Sequence, residues 1–177
     1  MQNQKYHPLL IIIHWAMALI IISLLALGLY ITNFLPEDAP NRIMFYDLHK
    51  SFGALALILI AIRICVRITK SAPPLPDSIN NVTQMLSHLI HLGLYLLMIL
   101  MPLSGYLMSN YFGYPVHLFG LPLPMLVDAN PEYGKFFAEA HEFLGFALIG
   151  TIALHIAGVI KHRFFDVPTN DVLGRML

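Results

Sequence analysis

The chain has 177 residues, 58% of them hydrophobic and only 11% charged, with a mean hydropathy of +0.70. Soluble domains carry about 25% charged residues, so this composition excludes disorder, a nucleic-acid binder and an ordinary cytosolic enzyme. Ten basic residues balance ten acidic ones, and the single cysteine, Cys65, excludes a disulfide framework, a zinc ribbon and a four-Cys iron–sulfur site.

Four apolar stretches follow one another along the chain. The first, Leu9 to Ile31, has no charged residue. It is long enough to cross a hydrocarbon core of about 30 Å and too long for the apolar part of a secretory signal. The second runs from about Asp47 to Ile68, with Arg63 and Arg67 near its end. The third runs from about Met85 to Met108, inside a charge-free interval between Asp77 and Asp128. The fourth runs from about Phe136 to Ile160. Lipid offers no partner for backbone N–H and C=O groups, so these spans are expected to be helices. Polar, proline-rich connections separate them: Thr32 to Tyr46, Thr69 to Gln84 and Ser109 to Lys135. The expected fold is all-α, a four-helix transmembrane bundle forming one domain over residues 1–177.

Basic residues set the expected orientation. Lys5, Arg63, Arg67, Lys70, Lys161, Arg163 and Arg175 fall on the side of the termini; Arg42, Lys50 and Lys135 fall opposite. Both termini are therefore expected in the cytoplasm. The acidic residues divide the other way: Asp77, Asp166 and Asp171 inside, against Glu37, Asp38, Asp47, Asp128, Glu132, Glu139 and Glu142 outside.

Nine histidines are unusual in so apolar a chain, and ionisable residues within a membrane mark functional sites. His14 falls near the inner end of the first helix and His49 at the outer end of the second. His141 and His155 lie near the outer and inner ends of the fourth. Their 14-residue interval is about 21 Å along a helix, and it returns to within about 40° in azimuth, so both face one side. Each level then holds two imidazoles from different helices: His49 with His141 outside, His14 with His155 inside. Two b-type haems, each with an axial imidazole on either face, require that arrangement.

Other residues bear on these sites. Gly53 and Gly145 each follow a candidate ligand by four, and Gly28 follows His14 by 14. They leave room for a porphyrin edge, or simply serve helix packing. His91, three residues after His88, lies near the depth of His14 and competes with it for the inner iron; His14 is preferred. His162, seven after His155 between Lys161 and Arg163, shares the haem-facing stripe at the water boundary. An imidazole there can pass protons to a quinone, or be an ordinary basic flank. Arg63 and Arg67 either snorkel to the interface or pair with haem propionates. His7 and His117 have no assigned role.

Together these residues resemble the bacterial cytochrome b561 family of small di-haem inner-membrane proteins. The likeness rests on Ile13-His14-Trp15, on His49 with Gly53, Arg63 and Arg67, and on His88-Leu89-Ile90-His91 with Tyr95. It extends to Ala140-His141-Glu142 and to His155 with His162. The family's haem ligands fall on His14, His49, His141 and His155. The resemblance implies electron transfer across the bilayer, in free-standing members from superoxide to ubiquinone, giving O2 and quinol. The alternative it implies is a cytochrome b subunit that carries electrons from a periplasmic dehydrogenase or hydrogenase to quinone. Lys50, beside His49, is the candidate for drawing an anion to the outer haem. The outer acidic excess argues against long-range steering of that anion.

Overall fold

The computed structural model describes residues 5–70, 72–74, 76 and 78–177; the inner acidic residue Asp77 lies outside them. Four long helices dominate: α1 (Pro8–Asn33), α2 (Arg42–Thr69), α3 (Asn81–Tyr111) and α4 (Pro131–Phe164). Each is long and apolar enough to cross a membrane. Every helix runs past its expected apolar span, because the hydrocarbon thickness limits apolarity and not helicity. Local caps decide where the helices begin. His7 Nδ1 accepts from Leu9 N before Pro8 opens α1, giving His7 a structural role. Asn80 Oδ1 accepts from Thr83 N before α3. Asn130 Oδ1 accepts from Glu132 N and Tyr133 N, with Pro131 at the first position of α4. These side chains satisfy amide groups that a helix start leaves unpaired.

Close backbone packing runs in chain order, α1 on α2, α2 on α3 and α3 on α4. A small core of Ile13, Met17 and Ile60, with Leu57, Tyr95 and Met98 around it, joins the first three helices. Much of the bundle exterior is apolar; Ile12, Leu19, Phe143 and Phe146 are all exposed. In water such a surface would drive association. Against lipid it is the expected lining of a spanning bundle.

The α3–α4 connection is more ordered than its prolines foretold. It holds a two-residue hairpin, β1 (His117–Leu118) against β2 (Leu121–Pro122). Phe119 and Gly120 form its turn with φ of 50° and 92°, the positive pair that a tight primed turn demands. Phe119 holds this strained conformation against the Phe52 ring, centroids 5.1 Å apart, while Ser51 Oγ accepts from its amide. Ser51 also donates to the His117 carbonyl at 2.8 Å. The hairpin is thus fastened to α2 two residues beyond His49.

At the other end the C-terminal tail folds back in two 3-10 turns, Pro168–Asn170 and Leu173–Arg175. Arg175 is buried and donates to the Pro74 carbonyl at 2.8 Å. Trp15 Nε1 donates to the Met176 carbonyl at 2.8 Å, tying the tail to α1 beside His14. The two ends are called terminal and distal below, the terminal end carrying both chain ends.

Candidate functional site

A continuous α4 carries His141 and His155 on one stripe, as their spacing requires. That stripe faces across the bundle towards α1 and α2, whose backbones do not pack closely on α4. The helices meet there through imidazoles. At the distal end the His49 and His141 ring centroids are 6.2 Å apart with planes at 79°. At the terminal end those of His14 and His155 are 6.3 Å apart with planes at 68°.

These separations are chemically informative. An imidazole nitrogen sits about 2.0–2.1 Å from a bound transition metal. Two imidazoles on opposite sides of one ion therefore have ring centres about 6.3 Å apart. Both pairs match that spacing. His91 is also at the terminal site, but its centroid is 5.2 Å from that of His155. That is too close for a metal ion between the two rings, whereas the His14 ring leaves room for one.

The distal pair is prepared in further ways. His141 Nδ1 is 3.0 Å from the Met101 carbonyl and 3.0 Å from Ser104 Oγ. A carbonyl only accepts, so Nδ1 carries the proton and Nε2 keeps its lone pair. Ligating histidines characteristically hold their second nitrogen in this way. Gly105 permits it. A Cβ there would lie 2.8 Å from His141 Cε1, so only glycine lets the ring lie against α3. Gly28 stands less tightly against His49: a Cβ there would come within 3.3 Å of Cε1, which a ring shift of a few tenths of an ångström would relieve. Among the described residues, His49 Nδ1 is buried without a hydrogen-bond partner, a costly state for a polar atom in an apolar setting.

An apolar cleft lies beside this pair. It encloses about 500 Å³, its open mouth included, and is lined by Met17, Leu25, His49, Gly53, Met98 and His141 among others. Nothing lies within 4 Å of a Cβ added to Gly53, which opens onto this space. Gly145 is different: its Cβ would meet Met101 Cε at 3.2 Å, so it serves the α3–α4 contact.

A b-type haem fits what these residues offer. The imidazole pairs leave room for a metal ion, His141 is held with its Nε2 lone pair free to bind one, and an apolar cleft adjoins the distal pair. The sequence profile described as prokaryotic cytochrome b561 matches residues 5–177. The chain belongs to the prokaryotic cytochrome b561 family. It is 32% identical to "Cytochrome b561 homolog 2" of Escherichia coli (strain K12), over 98% of this chain and 92% of that protein. It is 26% identical to the "Probable superoxide oxidase CybB" of Yersinia pestis, over 99% of this chain and 97% of that one. "Cytochrome b561 homolog 1" of Escherichia coli (strain K12) is 21% identical over 94% of this chain and 93% of its own length. Cytochrome b561 proteins are membrane electron-transfer proteins that carry b-type haem, and this member has the four helices and the multi-pass form to match.

The other candidate residues of this cytochrome b561 have specific surroundings. Lys50 does not stand free: its Nζ lies 3.5 Å from Asp47 and 3.4 Å from the Pro115 carbonyl. Arg42 is occupied with the Leu35 and Pro36 carbonyls and with Tyr46. Arg63 donates to the Leu10 carbonyl at 3.1 Å, one turn before His14, and Arg67 lies over the Tyr6 ring, 5.5 Å from its centroid. His88 Nδ1 is engaged by the Gln84 carbonyl and His91 Nδ1 by that of Ser87. His162 is buried, with Nδ1 2.9 Å from Asp166 Oδ2. Sequence reasoning missed Gly105, Ser104 and Asp166. Only Asp166 had a local signal, four residues after His162.

Proposed function

We propose that this protein binds two b haems and carries electrons from superoxide across the membrane to ubiquinone. The observation that carries this is the stacking of two imidazole pairs, at 6.2 and 6.3 Å, on one helix stripe. His49 and His141 hold the distal haem, and His14 and His155 the terminal one. When bound, each haem supplies a one-electron couple; the protein supplies ligands, burial and hydrogen bonds. The two levels are about 21 Å apart along α4, so haems held there would lie one near each face of the bilayer.

The distal end faces the periplasm in this reading, and both termini face the cytoplasm, following the basic residues. Each superoxide gives up one electron and leaves as O2. Two electrons and two protons convert one quinone to quinol. Lys50 offers a local positive charge one residue from His49, moderated by Asp47. His162 lies on the stripe of the terminal pair, at the level where lipid, water and the second haem meet. There it hydrogen-bonds the quinone and helps protonate it. The relative named as a probable superoxide oxidase supports superoxide as donor. The outer acidic excess favours a second reading, in which a periplasmic electron-donor protein docks there instead.

Stopped-flow mixing of the oxidised protein with superoxide tests the proposal. The haems should reduce in the mixing experiment and reoxidise when a ubiquinone analogue is present. Failure of superoxide to reduce them, with normal reduction by dithionite and normal reoxidation by quinone, would leave the docked-donor reading in its place.

A further inference from the structure

At the terminal end, beyond the histidine pairs, the described residues form a small polar cleft. Ser78, Asn80 and Thr83 line it from the α2–α3 connection and the start of α3. Lys161, His162, Asp166 and Asn170 line it from the end of α4 and the tail. Its chemistry is opposite to that of the distal cleft: hydroxyls, amides and charges instead of methyl groups. A polar cleft of this kind has the hydrogen-bonding groups needed to take up water.

His162 and Asp166 sit together in its wall. The carboxylate takes Nδ1 of His162 at 2.9 Å, Lys161 Nζ at 3.3 Å and its neighbour's amide, Val167 N, at 3.2 Å. The hydrogen bond from His162 is the main reason the Asp166 carboxyl titrates well below the usual range, at about 2. An ionised carboxylate only accepts, so the proton of the neutral imidazole must lie on Nδ1. That leaves Nε2 as the working nitrogen. The nearby charges are otherwise spoken for. Arg163 is bonded to Asp171, on the tail, and the start of α3 brings only Asn80 and Thr83 to the cleft.

We infer that Asp166 is a positioning residue that fixes the tautomer and aim of His162, making the pair a proton relay between the water-bearing cleft and the quinone. The inference rests on the quinone site proposed above. In the relay, protonated His162 gives its Nε2 proton to a reduced quinone oxygen. The imidazolium is meanwhile paired with Asp166, and the neutral ring then takes a proton back from cleft water. Two such transfers accompany the two electrons that arrive from the haem side, so one quinone becomes one quinol. A carboxylate behind an imidazole performs the same two tasks in acyl-transfer enzymes: it selects the tautomer and supports the charged ring.

The test uses full-length, haem-loaded protein with Asp166→Asn, Asp166→Glu and His162→Ala. Reoxidation of the reduced haems by a ubiquinone analogue is followed in H2O and in D2O, and nitrogen NMR reports the His162 tautomer. Asp166→Asn should slow reoxidation roughly tenfold or more. It should also raise the solvent isotope effect and give a mixed tautomer, with the haem spectra unchanged. Asp166→Glu should restore most of the rate and the single tautomer, which a merely structural role would not require. Should Asp166→Asn keep the wild-type rate and isotope effect while His162→Ala is slow, the relay is overturned and the quinone site stands. Should His162→Ala also reoxidise at the wild-type rate, the site itself is misplaced.

Discussion

Replacing Gly105 by alanine tests the distal site through a residue that is neither ligand nor catalyst. The added Cβ would lie 2.8 Å from Cε1 of His141 and 3.1 Å from Nδ1. Non-bonded carbon atoms prefer about 3.5–4.0 Å, so the ring must retreat by about 0.7 Å or more. A metal–ligand distance tolerates only about 0.2 Å. Retreat also carries Nδ1 away from its 3.0 Å contact with the Met101 carbonyl. Loss of such support typically lowers metal affinity about 10–100-fold, equivalent to about 1.4–2.8 kcal/mol. The distal haem of Gly105→Ala should therefore be lost on dilution or detergent washing that leaves the wild type loaded. A haemochrome assay should then find about one haem per chain where the wild type has two, and the native spectrum should keep the α-band of the terminal haem. If Gly105→Ala keeps both haems with wild-type spectra and potentials, the His141 geometry derived from Gly105, Met101 and Ser104 is wrong.

Gly53→Leu should place its side chain in the distal cleft, where nothing lies within 4 Å of the new Cβ; the helical circular dichroism should survive while distal haem is excluded, and full haem loading would refute the cleft assignment. His14→Ala should remove the terminal haem and His91→Ala should leave it bis-His and low-spin, as the 6.3 and 5.2 Å separations from His155 require; optical and magnetic spectra of the two variants decide this. Lys50→Gln should slow reduction by superoxide only a few-fold and leave the quinone step untouched, because Asp47 already offsets much of that charge; stopped-flow rates at low and high salt measure it. The His162–Asp166 contact should persist on acidification below pH 3.8, since the folded-state carboxyl titrates at about 2 and its stabilising effect is lost only as pH falls through that value; a carboxylic-acid infrared band absent from Asp166→Asn should emerge only towards pH 2.

The histidine ladder was legible because α4 is one unbroken helix. Fourteen residues at a fixed rise and rotation put His141 and His155 on one stripe, and only the partners had to be found on other helices. Depth alone left His14 and His91 in competition; their ring separations from His155 differ, 6.3 against 5.2 Å, and no periodicity contains those. Gly28 was legible as a residue at the distal level, but not its contact there with the His49 ring on another helix. Gly105 was not legible, since its meaning lies in a contact with His141, 36 residues away on another helix. Helix ends were misjudged for a similar reason. Hydropathy stops at Phe136, while the cap at Asn130 and the proline at 131 start α4 one and a half turns earlier. The hairpin over His49 depends on Ser51 reaching a carbonyl 66 residues on, and the docked tail depends on Trp15 reaching Met176. Neither follows from local pattern.

If each imidazole pair holds a haem, purified and fully loaded protein carries two b haems per chain, both low-spin. Pyridine haemochrome against quantitative amino-acid analysis gives that ratio, and native optical and magnetic spectra give the spin state. A saturated value of one haem per chain would leave one of the two pairs without an iron and refute the paired-site reading.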